Sequence, residues 1–190
     1  MAEGEWVPAQ APPRRIEVHG LHLRWWEPGD VAEMLEVVLA SQEHLRAFLP
    51  WASGYGAETA DGYLERTREG LRTHTDFSYR VEDPATGELL GSAGLMARIG
   101  PRALEIGYWV RADRTREGIA TRAAAALTRV ALALPDVDRV EIHHDAANHA
   151  SAGVPRRLGY ARAGEYGRAV RAPAQTGRAV RWVTTGDAAR

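Results

Sequence analysis

The chain has 190 residues, 45% hydrophobic and 26% charged, enough for one globular domain that buries roughly 70% of its unfolded surface without a metal or disulfide staple. It contains no cysteine and no lysine, which excludes disulfides, thiolate catalysis, cysteine-ligated zinc and a lysine Schiff base. Its 24 basic and 25 acidic residues argue against a general nucleic-acid binder, and no apolar run approaches the ~18 residues of a membrane span, so a cytoplasmic protein with no membrane partner is expected.

Residues 1–15, rich in Pro, Ala and Glu, read as a mobile tail with Trp6 as an anchor, and residues 16–187 as a single domain. Strand character begins at Ile16, and Leu21, Leu23 and Trp25 alternate with His22, Arg24 and Trp26. Asp30, with Glu33 three residues on, reads as a helix cap ahead of Val31, Met34, Leu35 and Val38. Ser41 is placed to cap a second short helix carrying Leu45 and Phe48, ended by Pro50, and Thr59 a third through Leu71. Phe77–Val81 and Leu89–Leu95 flank the turn sequence Asp83-Pro84-Ala85-Thr86-Gly87 and read as a hairpin, with Ala103–Val110 next to them. A long helix is predicted from about Glu117 to Leu134, a strand over Val137–His143, a short helix from His149 to Leu158, and a last antiparallel pair, Tyr160–Tyr166 and Ala179–Thr184. The order implies an α+β fold with one mixed sheet and a parallel crossover around the long helix.

The segment from Glu105 to Thr121 carries the most chemistry. A strand runs through the arginine-rich loop Arg111–Glu117 into a helix opened by Gly118-Ile119-Ala120-Thr121. The first N–H groups of that helix lack helical partners and sit at the positive end of its dipole, which is an anion site. Neither a lysine-bearing phosphate loop nor a three-glycine dinucleotide fingerprint is present. Some thirty residues on comes Asn148-His149-Ala150-Ser151, then Arg157-Leu158-Gly159-Tyr160. The adjacent His143, His144 and Asp145 do not make a metal site, because neighbours on a strand point to opposite faces; no metal is expected.

Together Glu105-Ile106-Gly107-Tyr108-Trp109, Gly118-x-Ala120-Thr121 and Asn148-x-x-Ser151-x-x-Val154-x-x-Arg157-x-Gly159-Tyr160 resemble the GNAT superfamily of acyl-CoA-dependent N-acyltransferases, and within it the RimJ/RimL branch of ribosomal-protein N-terminal acetyltransferases. The resemblance runs from about Ile16 to Thr185. It implies a mostly antiparallel mixed sheet with helices on both faces and two parallel strands that splay at the acyl-CoA site. It places the acetyl-CoA pyrophosphate on the backbone of Arg116, Glu117, Gly118, Ile119, Ala120 and Thr121, the pantetheine along Trp109 and Val110, and a hydrogen bond to it on Asn148. The chain departs from the pattern at Thr115, where arginine or glutamine is usual, and at Glu117, where a carboxylate beside a pyrophosphate weakens binding unless it points away.

Transfer of an acyl group to an amine needs a deprotonated amine, a donor to the oxyanion and a proton for the thiolate. A tyrosine stands seven residues after the asparagine in many superfamily members; Pro155 stands there in this chain, and the branch suggests Ser151 as its substitute. Glu105, between apolar Leu104 and Ile106, is the candidate base, with a cross-strand pair to an arginine as its equal alternative, and a backbone N–H near Val110 is the oxyanion donor. His149 is an auxiliary candidate, and Trp51, in an aromatic loop after Pro50, a candidate wall of the acceptor pocket. An α-amine of pKa near 8 is about one-tenth neutral at pH 7, a lysine amine far less, so a modest base favours an N-terminal α-amine. A small amine, such as an antibiotic, polyamine or amino acid, and a non-catalytic acyl-CoA sensor remain open as alternatives. The resemblance also implies a homodimer.

Overall fold

The computed structural model describes residues 6–186. Eight strands form one sheet: β1 (Arg15–Val18), β2 (Leu21–Trp25), β3 (Asp76–Glu82), β4 (Leu89–Met96), β5 (Ala103–Val110), β6 (Arg139–Asp145), β7 (Ala161–Gly167) and β8 (Arg178–Thr185), in the spatial order β1-β2-β3-β4-β5-β6-β8-β7. Every neighbouring pair is antiparallel except β5 and β6. The helices are α1 (Val31–Ala40), α2 (Gln42–Arg46), α3 (Ala57–Thr73), α4 (Ile119–Leu132) and α5 (His149–Arg157). None of them is long and apolar enough to cross a membrane.

The period-2 pattern divides each strand between two cores. Leu90, Leu104 and Ile106 pack with Ile119, Ala123, Leu127 and Ala131 of α4. Leu89 and Trp109 face the other way and join Met34, Val38, Leu45 and Leu64 of α1 to α3. The α4 stripe is mostly alanine, which lets the helix lie close to β4 and β5 and brings its N-terminus to the end of β5.

The first predicted strand is two: the chain turns at Gly20, whose φ of +70° suits a residue without Cβ, and β1 pairs back on β2. The expected mobile tail is instead packed from Trp6 onward. Trp6 and Val7 lie against the core, the Pro8 carbonyl accepts from His74 Nδ1 at 3.0 Å, and the Pro13 carbonyl accepts from the Tyr79 hydroxyl at 2.8 Å. Prolines lack an N–H but keep a carbonyl, so a proline-rich strap can still satisfy buried donors.

Two expected helix caps do other work. Asp30 accepts from the Glu27 N–H and from Arg24, and with Glu82 it surrounds the buried Arg80 guanidinium. Ser41 Oγ accepts from the Ala112 N–H at 3.0 Å, tying the start of α2 to the arginine-rich loop.

Candidate active site

The parallel pair is the frame of the site. β5 and β6 are paired from Ala103/Arg139 to Ile106/Ile142 and no further, although β5 continues to Val110 and β6 to Asp145. Gly107 to Val110 therefore diverge from His143 to Asp145, leaving open the inner edge where an extended ligand can pair with backbone. The end of β5 is held from its other side by a bulge where Val81 pairs Gly91 and Glu82 pairs Leu89. A Cβ on Gly91 would sit 2.2 Å from the Trp109 carbonyl oxygen, so only glycine lets β4 approach there.

Beyond β5 the chain makes a short turn at Ala112–Arg114 and enters α4 through Arg116 and Gly118, both left-handed with φ of +68° and +74°. Left-handed residues on either side of Glu117 turn the backbone sharply there, and a concavity of inward-turned amides binds anions. Among the described residues no protein acceptor meets any N–H from Thr115 to Thr121. Seven free amides at the start of a 14-residue helix fit a pyrophosphate. Arg157 reaches across from α5 to Thr121 Oγ1 at 3.2 and 3.3 Å and adds a cation to this helix start. Glu117 does not face the amides: both its oxygens accept from Arg114 Nε, at 3.0 and 3.1 Å. Arg114 also donates to Glu88, and Arg111 to Glu88 and Asp113. The Arg116 guanidinium has no protein partner among the described residues and is exposed.

On the α4 side of β6, Asn148 caps α5 by accepting from the Ser151 N–H at 3.0 Å, while its own NH2 donates to no described residue. Ser151 Oγ lies 3.0 Å from the Tyr108 hydroxyl, which also donates to the Ser151 carbonyl at 3.2 Å. Pro155 explains the second contact. It stands four residues after Ser151 and has no N–H, so the Ser151 carbonyl loses its helical donor and takes one from β5. The proline that fills the usual tyrosine position thus brings a different tyrosine to the same serine. Burial raises the Tyr108 phenol to about 12, with Ser151 and Arg157 opposing, so it stays protonated.

On the opposite face Glu105 takes the second of its two expected environments, a pair with an arginine. Its apolar sequence neighbours, Leu104 and Ile106, point to the α4 side, and the carboxylate points away from them. Both oxygens accept from Arg98, Nε and Nη2 each at 2.8 Å, so Glu105 is a clamped ion and not a lone carboxylate in an apolar pocket. Glu141 is its neighbour in register on β6. Glu141 accepts from Arg139 Nε at 2.9 Å and shares a 2.7 Å hydrogen bond with His143 Nε2. His143 Nδ1 lies 2.9 Å from the hydroxyl of Tyr166 on β7. Glu141, His143 and Tyr166 border an open cleft of ≈ 450 Å³ that Ile99, Glu165 and Arg181 also line. Burial favours a neutral Glu141, but the bonds from Arg139 and His143 outweigh it and hold the acid below its ordinary range.

Trp51 is exposed and tilted 6.1 Å from Trp109 on β5, so it lies over the end of the opened strand and does not cap a core. Its loop is bridged to the β7–β8 connection: Ala174 N–H donates to the Ala47 carbonyl at 2.9 Å, and Gln175 Nε2 to the Phe48 carbonyl at 2.8 Å. His149 is exposed at the start of α5.

The structure therefore gathers Trp109, Val110, Arg116 to Thr121, Asn148 and Ser151 around one opening, with Glu105 and Trp51 on its other side. Sequence reasoning missed Tyr108, Arg98 and the Glu141–His143–Tyr166 chain. Tyr108 was within the motif already singled out, and alternation puts it on the α4 face. Glu141 and His143, two apart on a strand, share a face by the same rule, and only their partner on β7 needed the fold.

Comparison with known proteins gives one family: residues 20–161 match the model for an acetyltransferase (GNAT) domain. The chain is 28% identical over 147 residues to "Putative ribosomal N-acetyltransferase YdaF" of Bacillus subtilis (strain 168), covering 75% of this chain and 79% of that one. Among solved structures it superposes on RimL, a ribosomal L7/L12 alpha-N-protein acetyltransferase in complex with coenzyme A, with a TM-score of 0.83 at 21% identity, over 92% of this chain and 99% of that one. Mycobacterium smegmatis RimJ, in complex with CoA-disulfide, gives 0.79 at 23% identity over 88% and 82%.

Proposed function

The chain belongs to the GNAT acetyltransferase family and is an acyl-CoA-dependent acetyltransferase, and from that premise we propose that it moves acetyl from acetyl-CoA to the α-amine of a protein or peptide N-terminus. The observation that carries the reading is the opened β5–β6 pair, with free amides on one side of it and an open polar cleft on the other.

In this reading the amides of Arg116 to Thr121 hold the pyrophosphate, with Arg116 and Arg157 as cations beside it. The edge at Trp109 and Val110 pairs with the pantetheine, and the free Asn148 NH2 donates to it. Ser151 gives the leaving sulfur its proton. Tyr108 gives its one proton to the Ser151 carbonyl, so the seryl O–H rests on the Tyr108 oxygen and turns from there toward the sulfur. On the other face the exposed Tyr166 hydroxyl meets the acceptor amine in the cleft, and Trp51 forms an apolar wall. The α-amine is favoured over lysine because less work is needed to neutralise it. The open cleft accommodates a chain end, and the ribosomal N-acetyltransferases among the relatives support that acceptor class.

Thiol release from acetyl-CoA, measured over a panel of amines, tests this. Peptides with free Ser, Ala or Met N-termini are expected to release CoA, and the same peptides with blocked N-termini and a free lysine are not. A thermal shift with CoA serves as the binding control, since saturation at a hundred times Kd adds about 2.7 kcal/mol. Release confined to small amines would overturn the acceptor assignment, and binding without release on any amine would leave an acyl-CoA sensor.

A further inference from the structure

We propose that His143, oriented by Glu141 and reached through the Tyr166 hydroxyl, accepts the proton of the acceptor amine. The inference rests on the acetyltransferase reading above and assigns the deprotonation step to a group on β6 rather than to Glu105.

The first support is position. His143 is the first β6 residue beyond the last parallel pair, Ile106 with Ile142, so it stands where the two strands part. It shares a face with Glu141, whose register neighbour is Glu105, and that face borders the open cleft.

The second is the fixed tautomer. Glu141 is almost fully buried, held ionised, and can only accept. Nε2 must therefore carry a proton and donate it across 2.7 Å to Glu141. In the neutral ring Nδ1 then has only a lone pair, and the Tyr166 O–H donates to it across 2.9 Å. A carboxylate behind an imidazole both orients the ring and stabilises the imidazolium once it forms. Tyr166 is the exposed end, 42% accessible, with oxygen lone pairs left for a ligand in the cleft. Burial holds its phenol above the ordinary value, so the proton it gives to Nδ1 is present at neutral pH.

The third is that the competing carboxylate is engaged. Both Glu105 oxygens are on Arg98, and to serve as a base Glu105 would have to give up a bidentate pair.

The charges around the dyad come from every neighbouring element. Arg139 lies on Glu141; Arg181 of β8 is the register partner of His143; Arg98 and Glu105 act on Tyr166 from the β5 side, and Arg168 from beyond β7. Glu165 is held by Arg162 and Arg178. In the step itself one ammonium N–H bond breaks as its proton passes to the Tyr166 oxygen. The Tyr166 proton passes to Nδ1, and the amine keeps the electron pair for attack. The imidazolium returns its proton to solvent, so no further reactant is needed.

The test combines a spectrum of the free protein with kinetics. With ¹⁵N-histidine labelling, and His143→Gln to assign the signal, His143 is expected as the Nε2–H tautomer; an Nδ1–H tautomer overturns the proposal. On the best amine of the panel, His143→Gln is expected to lose about 100-fold in kcat and the acid limb of the kcat/KM profile, with an unchanged CoA thermal shift as proof of fold. Added imidazole should restore part of the rate to His143→Ala. Tyr166→Phe should lower kcat with little change in KM. A retained acid limb in His143→Gln sinks the proposal and leaves the acetyltransferase reading standing. If only a small amine is turned over, the α-amine reading fails and the His143 variants are judged on that amine. If no amine reacts, both fail.

Discussion

The two ends of the proposed site, donor and acceptor, are built in different ways. The donor end is local: the edge of β5, the turn after it and the first turn of α4 lie within Trp109 to Thr121, and its working groups are backbone amides. The acceptor end is assembled from Trp51, Arg98, Glu105, Glu141, His143 and Tyr166, and its working groups are side chains in ion pairs and hydrogen bonds. An amide site is set by φ and ψ and tolerates many side chains. A side-chain site depends on register and on partners contributed by distant strands. Substitutions at the donor end should therefore act mainly through the backbone, and those at the acceptor end through charge.

The largest effect is expected at Gly91. A Cβ there meets the Trp109 carbonyl at 2.2 Å and Val110 Cα at 3.0 Å, all of it backbone that has no rotamer to change. Gly91→Ala should cost about 3 kcal/mol or more in urea unfolding, at or beyond the usual upper limit for overpacking. Whatever folds should have lost CoA binding, because the β5 edge moves. An effect below about 1 kcal/mol would show that the bulge yields, and that the donor end is softer than its geometry implies.

Ser151→Ala comes next and separates chemistry from binding. A thiol with pKa near 8.5 leaves without much help, so kcat should fall only about 10- to 100-fold, with CoA affinity intact. Tyr108→Phe removes the donor that Pro155 makes necessary. It should cost about 1–3 kcal/mol in stability as well as rate, because the Ser151 carbonyl is left unpaired. A Tyr108→Phe enzyme with full stability would mean that water replaces the phenol.

A pH experiment probes the other face of β6. His144 is buried: Nδ1–H donates to the Asp145 carbonyl at 2.8 Å, and Nε2 accepts from Trp182 Nε1 at 2.9 Å. Burial depresses its titration below the ordinary 6.5, and a protonated ring would set N–H against N–H. Since the folded value lies below the unfolded one, the unfolded chain takes up the proton first. The stabilisation is complete above about pH 6.5 and is lost as pH falls through the folded value, at no more than ~1.4 kcal/mol per pH unit. Unfolding midpoints from pH 8 to 5 should show this slope in the wild type and a shallower one in His144→Gln. The adjacent His143 sits on the cleft face, so one dipeptide carries a buried structural imidazole and the one proposed as base.

These contrasts explain what was legible in the sequence. The long helix, the arginine-rich loop before it and the start of α5 at His149 follow from local signals. Helix edges shifted where a left-handed residue intervened: the predicted start near Glu117 is Ile119, because Gly118 turns first. The strap of residues 6–14 was not legible, because its partners His74 and Tyr79 lie more than sixty residues away. Two readings of Glu105 stand side by side in the sequence, a carboxylate among apolar neighbours and one paired with an arginine; the structure shows the second, because on a strand the apolar neighbours occupy the other face. No local pattern announces Arg98, seven residues back around a turn, as the partner that clamps it.

The smallest expected effect tests the one sequence feature that runs against anion binding. Glu117 lies between two left-handed residues at the mouth of the amide concavity, and the structure turns its carboxylate onto Arg114. That pair is exposed, so it adds little to stability. Glu117 does share with Glu88 a guanidinium whose Nε would otherwise be open to a phosphate. Glu117→Gln removes the negative charge and loosens Arg114, so CoA affinity should tighten by a few-fold, more at 20 mM than at 500 mM salt. Pantetheine, which lacks the pyrophosphate, should bind both proteins alike. Weaker binding of CoA by Glu117→Gln would mean that the pair with Arg114 holds the loop in its concave form. The donor end would then depend on a side-chain pair, as the acceptor end does, and the distinction between the two would narrow.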